Sequence, residues 1–416
     1  VTILEKDHRV GAVRGTALFV AAIVGPGILT LPALAAAQAG PASLITLGVL
    51  LVVSAPIAFT FAALHAATPT AHGIAGYASA AFGSLAGRLV TAWFRYGVPI
   101  GVPALGLIGG EYVAEATGGD KATVVTVAAA ICAVAVIASI LYRAGSGILT
   151  LLLSIALILL IATTAVLALP HGDTANLTPF APNGVVAVAA SALVLTWVLT
   201  GWEAVTNFTG VLRDPRRTLP KATAATLVIV ALLYAAVAVP EILVLGPTAG
   251  GSAAPVAALL RIAVGPIGAV VAAIIAVIIA TGNSLAYVGS LAELDSRAAG
   301  APEGARAQRS ARLRALAVPI AIIIAGLAAA ALTPISTDEL VSLCAGSQVP
   351  VYILGLAAGI KIFPAYSRLW WLSVFSTAAV AVLLVPAGFY LLVPAVIAVA
   401  VVGQSRIARR AEVADR

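Results

Sequence analysis

Charge is scarce in this chain. Only 9% of its 416 residues are Asp, Glu, Lys or Arg, where a soluble domain carries about 25%. Apolar types (Ala, Val, Ile, Leu, Met, Phe, Trp, Tyr, Cys) make up 62%, and mean hydropathy is +1.11. So little polar surface does not cover a water-facing globule. A secreted enzyme, a cytosolic dehydrogenase and a nucleic-acid-binding domain are excluded, despite a net charge of +7. Cysteine is equally sparse. Cys132 and Cys344 both fall in apolar stretches and read as small buried thiols without a disulfide. The chain has no CxxC or HExxH pattern, so no metal is expected, and no G-x-x-x-x-G-K-[ST] loop for nucleotide phosphates. ATP-driven transport, a cofactor and a nucleophile–base set for catalysis are therefore not expected.

What the chain does have is long apolar runs. A membrane helix needs about 20 such residues. Twelve stretches qualify, near 12–38, 42–66, 85–116, 122–142, 147–170, 184–211, 222–246, 255–292, 313–332, 338–361, 369–385 and 387–404. The first, from Ala12 to Ala39, is too long for the core of a cleaved signal peptide. With the N-terminus inside, 20 of the 23 Lys and Arg residues fall in cytoplasmic segments, as the positive-inside rule requires. The expectation is a multi-pass protein of the cytoplasmic membrane with both termini cytoplasmic. The basic charge is orientation signal, and the lipid bilayer is its main surroundings. The loops are short, so one transmembrane domain spans 1–416.

Two spans carry a strong interruption. In the first, Ile23-Val24-Gly25-Pro26-Gly27-Ile28 breaks a helical run. Proline removes a donor, and flanking glycines ease the turn. In the sixth, Thr200-Gly201-Trp202-Glu203 does the same. Taken alone, Gly25-Pro26-Gly27 reads equally well as a packing kink. Together they occupy matching places if the first ten spans form two five-span repeats, about 12–170 and 184–361. An odd repeat inverts the second copy, and helices near 369–404 lie outside it. Paired interruptions of this kind point to a midplane binding site. The amides of Gly27 and Ile28 begin a half-helix and suit a carboxylate. The carbonyls near Ile23, and those from Trp197 to Thr200, end half-helices and suit an ammonium. One site with both ends matches an α-amino acid.

These residues carry a family resemblance. Gly25-Pro26-Gly27-Ile28 with Leu31-Pro32-Ala33 and Gly40-Pro41 resembles the amino acid–polyamine–organocation permeases. So does Gly201-Trp202-Glu203-Ala204, continued by Arg213-Asp214-Pro215-Arg216-Arg217 and Leu219-Pro220-Lys221-Ala222. Pro32-Ala33-Leu34-Ala35-Ala36 and Val98-Pro99-Ile100-Gly101-Val102-Pro103-Ala104 are similar to the bacterial methionine and branched-chain amino acid exporter branch. The resemblance implies an all-α, LeuT-like fold with twelve spans and alternating access. It places the substrate against Ile23, Gly25, Pro26, Gly27 and Ile28, with Trp197, Thr200 and Gly201 opposite. The chain departs from the family at Pro26, where many members carry serine or another small residue. It also has no charged residue from Gly147 to Pro170, where some proton-coupled members place a lysine.

Charges within spans are costly and become functional candidates. Glu203 either carries a coupling proton or caps the unwound sixth span. Arg95 snorkels, or pairs with Glu293 or another acid near the inner gate. Glu111, Glu115 and Glu241 lie towards outer span ends and read as solvated, and His65 and His72 as loop or interfacial residues. Gly97, Gly101, Gly106 and Gly110 have the spacing of close helix contact. Tyr96, Pro99 and Ile100 are candidate lining residues, and Trp202 is a further one at the second break. Asn283 and Ser284, and Ser347 and Gln348, either hydrogen-bond between helices or face the pathway. Thr281 and Ser284 are a weak clue to sodium. Glu203 is the only acid near the breaks, so a neutral apolar substrate is favoured: methionine, leucine, isoleucine or valine. The expected activity is secondary active transport, as an exporter or exchanger with protons as a possible partner. An uptake permease for neutral amino acids or related amines, and a non-transporting sensor, stay open, as does monomer against homodimer.

Overall fold

The computed structural model describes residues 11–68, 73–141, 147–202, 212, 215–296 and 305–414. Every regular element among them is helical. The first span is two helices, α1 (Ala12–Ile23) and α2 (Leu31–Ala39), separated by the interruption. There follow α3 (Ser43–Ala67), α4 (Gly73–Phe82), α5 (Ser84–Thr117), α6 (Lys121–Leu141) and α7 (Gly147–Ala168). The sixth span opens with α8 (Gly184–Val194), and α9 (Pro215–Pro240) follows its break. Then come α10 (Pro255–Val264), α11 (Pro266–Ser296), α12 (Ala305–Leu332), α13 (Thr337–Ile362), α14 (Arg368–Val382), a short α15 (Leu384–Ala387) and α16 (Leu392–Ala414).

Burial sorts these helices into centre and rim. In the most apolar stretch of α5, 78% of residues are buried, and in α13 72%. The figures for α6 and α12 are 28%, and for the α14–α16 stretch 22%. The rim helices turn Val134, Ile137, Ile324, Val396 and Val399 outward. Exposed apolar surface on this scale is what a bilayer covers and water does not tolerate. The central α5 packs against α6, α11 and α13. Pro99 and Pro103 lie inside it, so it gives up backbone bonds in the middle of the molecule.

Residues that the alternation of spans places on one side of the membrane do meet. Lys121 Nζ donates to the Thr333 carbonyl at 2.7 Å, and Arg261 pairs with Glu115 at 3.0 Å. We call this end of the bundle distal, because it lies opposite the start of α1. Near the start of α1, a Cβ on Gly15 would stand 3.6 Å from Ala222 and 3.9 Å from Thr218, so α1 seats on the head of α9.

Two expectations are corrected here. The stretch 255–292 is not one span. Gly265 has φ of +79°, a left-handed conformation that ends α10, and Pro266 restarts the chain as α11. At ten residues, or roughly 15 Å, α10 is too short to cross a bilayer. Nor is Glu241 solvated, since its relative exposure is 0%. It opens a π turn, Glu241–Leu245, that continues α9.

Candidate functional site

The first break is local chemistry written into the backbone. Val24 and Gly25 are extended, and Pro26–Leu29 coils as a tight 3₁₀ turn with proline at its start. Within it the Ile28 amide donates to the Gly25 carbonyl at 3.3 Å, and the Thr30 amide to the Gly27 carbonyl at 3.1 Å. Pro26 has no amide at all. The second break mirrors this tightening. Leu195–Leu199 is again 3₁₀, Thr200 is extended, and Gly201 has φ of +99°. The Trp197 carbonyl accepts both the Thr200 amide at 3.2 Å and the Thr200 hydroxyl at 2.8 Å.

The two breaks come together through Trp197. A Cβ on Gly27 would stand 3.4 Å from Trp197 Cε3, and one on Gly101 of α5 would stand 3.3 Å from its Cζ2. The indole therefore lies between the first break and α5. On its α5 side a Gly101 Cβ would also come within 2.9 Å of Cys344 Sγ, and a Gly97 Cβ within 2.6 Å of the Ser347 Cβ. The small residues on α5 thus let α13 approach the site. From α11, Asn283 reaches the same region. Its Oδ1 is 3.0 Å from where a Gly25 Cβ would be, and its Nδ2 donates to Ile279 at 3.1 Å.

The remaining candidates are distributed around this centre. Ile28 and Trp202 are fully enclosed, and Trp197 is 8% exposed. Ile23, Thr200, Gly201, Tyr96, Arg95 and Asn283 are half-buried. Ser284 is buried, and its hydroxyl has no partner among the described residues. Thr281 donates to Val277 within its own helix. The indole nitrogens of Trp197 and Trp202 are also buried without partners among the described residues, an arrangement that costs about 1–3 kcal/mol for each donor left unmet. Glu203 lies outside the described residues, as do His72 and the side chain of Glu293. His65 Nδ1 lies 3.1 Å from the Tyr77 hydroxyl, tying the end of α3 to α4.

Beside Thr200 a small cavity is lined by Thr196, Leu199, Gln348, Val349, Tyr352 and Val380. Its free volume is about 10 Å³, the size of one water. An amino acid does not fit in that cavity without helix movement. Sequence reasoning missed Cys344 and Tyr112 as parts of this region. The Tyr112 hydroxyl donates to the Leu29 carbonyl at 2.8 Å, at the end of the first break. Cys344 was legible in principle, since it stands one turn from Ser347 on the face of α13 that meets Gly97 and Gly101.

With this geometry in place, the comparisons with known proteins decide the family. A model of the amino acid permease family matches residues 11–410. The chain belongs to that family. It is 29% identical over 406 residues to the uncharacterised amino acid permease YecA of Bacillus subtilis, covering 95% of each chain. It is 29% identical over 230 residues to the L-methionine/branched-chain amino acid exporter YjeH of Escherichia coli, covering 55% of this chain and 54% of that one. Among solved structures, MhsT in complex with L-phenylalanine superposes with a TM-score of 0.59 over 91% of this chain and 99% of MhsT, at 14% identity. That likeness gives this permease a LeuT-like membrane fold with broken first and sixth spans. Its relatives are transporters, not enzymes.

Proposed function

We propose that this permease is a secondary active transporter of neutral apolar L-amino acids, methionine, leucine, isoleucine and valine, working by alternating access as an exporter or exchanger. One observation carries the reading: the two breaks converge on Trp197, between Gly27 and Gly101, amid apolar and small side chains. The substrate carboxylate is assigned to the Gly27 amide, because Pro26 has none and that of Ile28 turns onto Gly25. The ammonium is assigned to the carbonyls of Ile23, Val198 and Leu199, because that of Trp197 is taken by Thr200. The side chain rests against Trp197, Ile28 and the α5 glycines. A cationic substrate would need a counter-charge, and the side chains described around the breaks supply none. The exporter among the relatives supports the substrate class.

The positive-inside distribution supports an N-terminus in the cytoplasm, which makes the distal end the outer face of the cytoplasmic membrane. The test is counterflow in proteoliposomes loaded with unlabelled amino acids and supplied with labelled leucine or methionine. The label accumulates, and neutral apolar amino acids block it while arginine and putrescine do not. Net flux from loaded vesicles under an imposed pH gradient then gives direction and coupling. Lack of accumulation across the amino acid panel, with folded protein, would defeat the proposal.

A further inference from the structure

We infer that Glu241 is a proton-operated latch on the outer side of the transporter. Its carboxyl takes up a proton as that side closes and returns it to the outer water as that side opens. The inference rests on the transport reading and on the cytoplasmic N-terminus that accompanies it.

The observation behind it is a carboxyl in an unusual place. Glu241 has no exposed surface, and neither carboxylate oxygen has a hydrogen-bond partner among the described residues. It sits on a π turn, a feature that interrupts a helix and recurs at functional sites. The turn packs against α10, α2 and the short turns at 169–171, 174–177 and 246–251. From these elements the described charged or titratable groups are Arg261, His171 and Asp173. All three are exposed, and Arg261 is engaged by Glu115. The segment from Leu31 to Ala39 and the 246–251 turn contribute none. From α5, which packs on α10, the titratable groups at this end besides Glu115 are Tyr112 and Glu111. Glu111 Oε1 accepts from the Thr337 hydroxyl, while its Oε2 is buried without a partner among the described residues, so this carboxyl is not solvated as expected either. Tyr112 is fully buried, donates to Leu29 and accepts from the Val256 amide at 3.3 Å. It therefore joins the first break, α5 and the head of α10. On the far side of the π turn, the Leu243 carbonyl accepts from the Asp173 amide and from Asn176 Nδ2, both at 2.8 Å.

An ionised carboxylate without a partner is among the most expensive groups to bury. With no cation described beside it, the closed form holds Glu241 as the neutral acid. Parting α10 and α2 from the π turn would wet the carboxyl and let it ionise, the proton passing to water. The closed state then binds one proton more than the open state. Low outer pH favours closure and high outer pH favours opening, by up to about tenfold per pH unit for one proton.

The experiment labels a reporter thiol rather than measuring transport. Ala257→Cys puts a thiol at a fully buried position on α10, and the buried native Cys132 and Cys344 give the background. Oriented proteoliposomes are treated from outside with a membrane-impermeant maleimide between about pH 5 and 9, a range that brackets carboxyl titration in and out of burial. Labelling, divided at each pH by that of the same thiol in unfolded protein to remove thiolate formation, is expected to rise steeply with pH. It is expected to stay low and flat in the near-isosteric Glu241→Gln, and to keep its rise in His171→Gln and Glu111→Gln. A flat profile with Glu241 intact would overturn the inference without recourse to any variant. So would an unchanged rise in Glu241→Gln, or a rise abolished by His171→Gln. Counterflow on the same vesicles separates the two claims. Flux with flat labelling sinks the latch and leaves transport, whereas a Glu241-dependent rise without flux keeps the latch and sinks transport.

Discussion

Trp197 has glycine on both sides because nothing larger leaves it room. Gly101→Leu would force a side chain into Cys344 Sγ and the indole, which a Cβ already approaches to 2.9 and 3.3 Å. Overpacking of this kind costs about 1–3 kcal/mol, so the variant should melt earlier and lose most of its counterflow. Native-like melting and flux would show that α5 does not press on the site. Gly201 is held by a different constraint, its φ of +99°. Gly201→Val should strain the second break, because a β-branched residue is poorly accommodated there, and purified protein should show reduced thermal stability. Glu203 directly follows this break. Glu203→Gln is expected to weaken flux driven by a pH gradient while sparing exchange. An unchanged pH dependence would leave it a structural carboxylate.

Elements, more than residues, explain what the sequence revealed and what it hid. Both breaks were legible because their cause is local: proline without an amide, and glycines that permit the turn. The close approach of α5 was also legible, from glycines four residues apart. The split of the eighth stretch was not, because Gly265 within an apolar run resembles any other small residue, and only its left-handed backbone ends the helix. Glu241 was misread for a related reason. A carboxyl near a span end reads as wet, and its cover comes from α10, which folds back after the 246–251 turn, and from the turns at 169–171 and 174–177, far earlier in the chain. Tyr112 was hidden in the same way, because its partners Leu29 and Val256 belong to other elements. That tie gives a prediction at this scale. Tyr112→Phe strands a buried carbonyl and a buried amide, each costing about 1–3 kcal/mol, so thermal stability should fall clearly. Arg261→Ala removes a partly exposed ion pair with the Glu115 carboxylate and an exposed hydrogen bond to the Glu115 carbonyl, the pair worth ~0–1 kcal/mol, and should cost far less stability. Equal losses in the two variants would contradict the role given to Tyr112.

Across the whole molecule, the buried α5 and α13 form a centre against which the two broken spans close, while α6, α12 and α14–α16 present apolar rims to lipid. The space of about 10 Å³ beside Thr200 admits water but no amino acid, so substrate enters that space only if the helices lining it part. The central claim is that the paired breaks themselves are the amino acid site. Equilibrium binding of labelled leucine to purified protein, native and Gly27→Leu, tests it most directly. A Cβ at Gly27 already comes within 3.0 Å of Leu31 and 3.4 Å of Trp197, so leucine at this position fills the break. Binding is expected in the native chain and a loss of roughly 100-fold or more in the folded variant, about 3 kcal/mol. Leucine bound equally by both chains would place the site elsewhere and contradict the account.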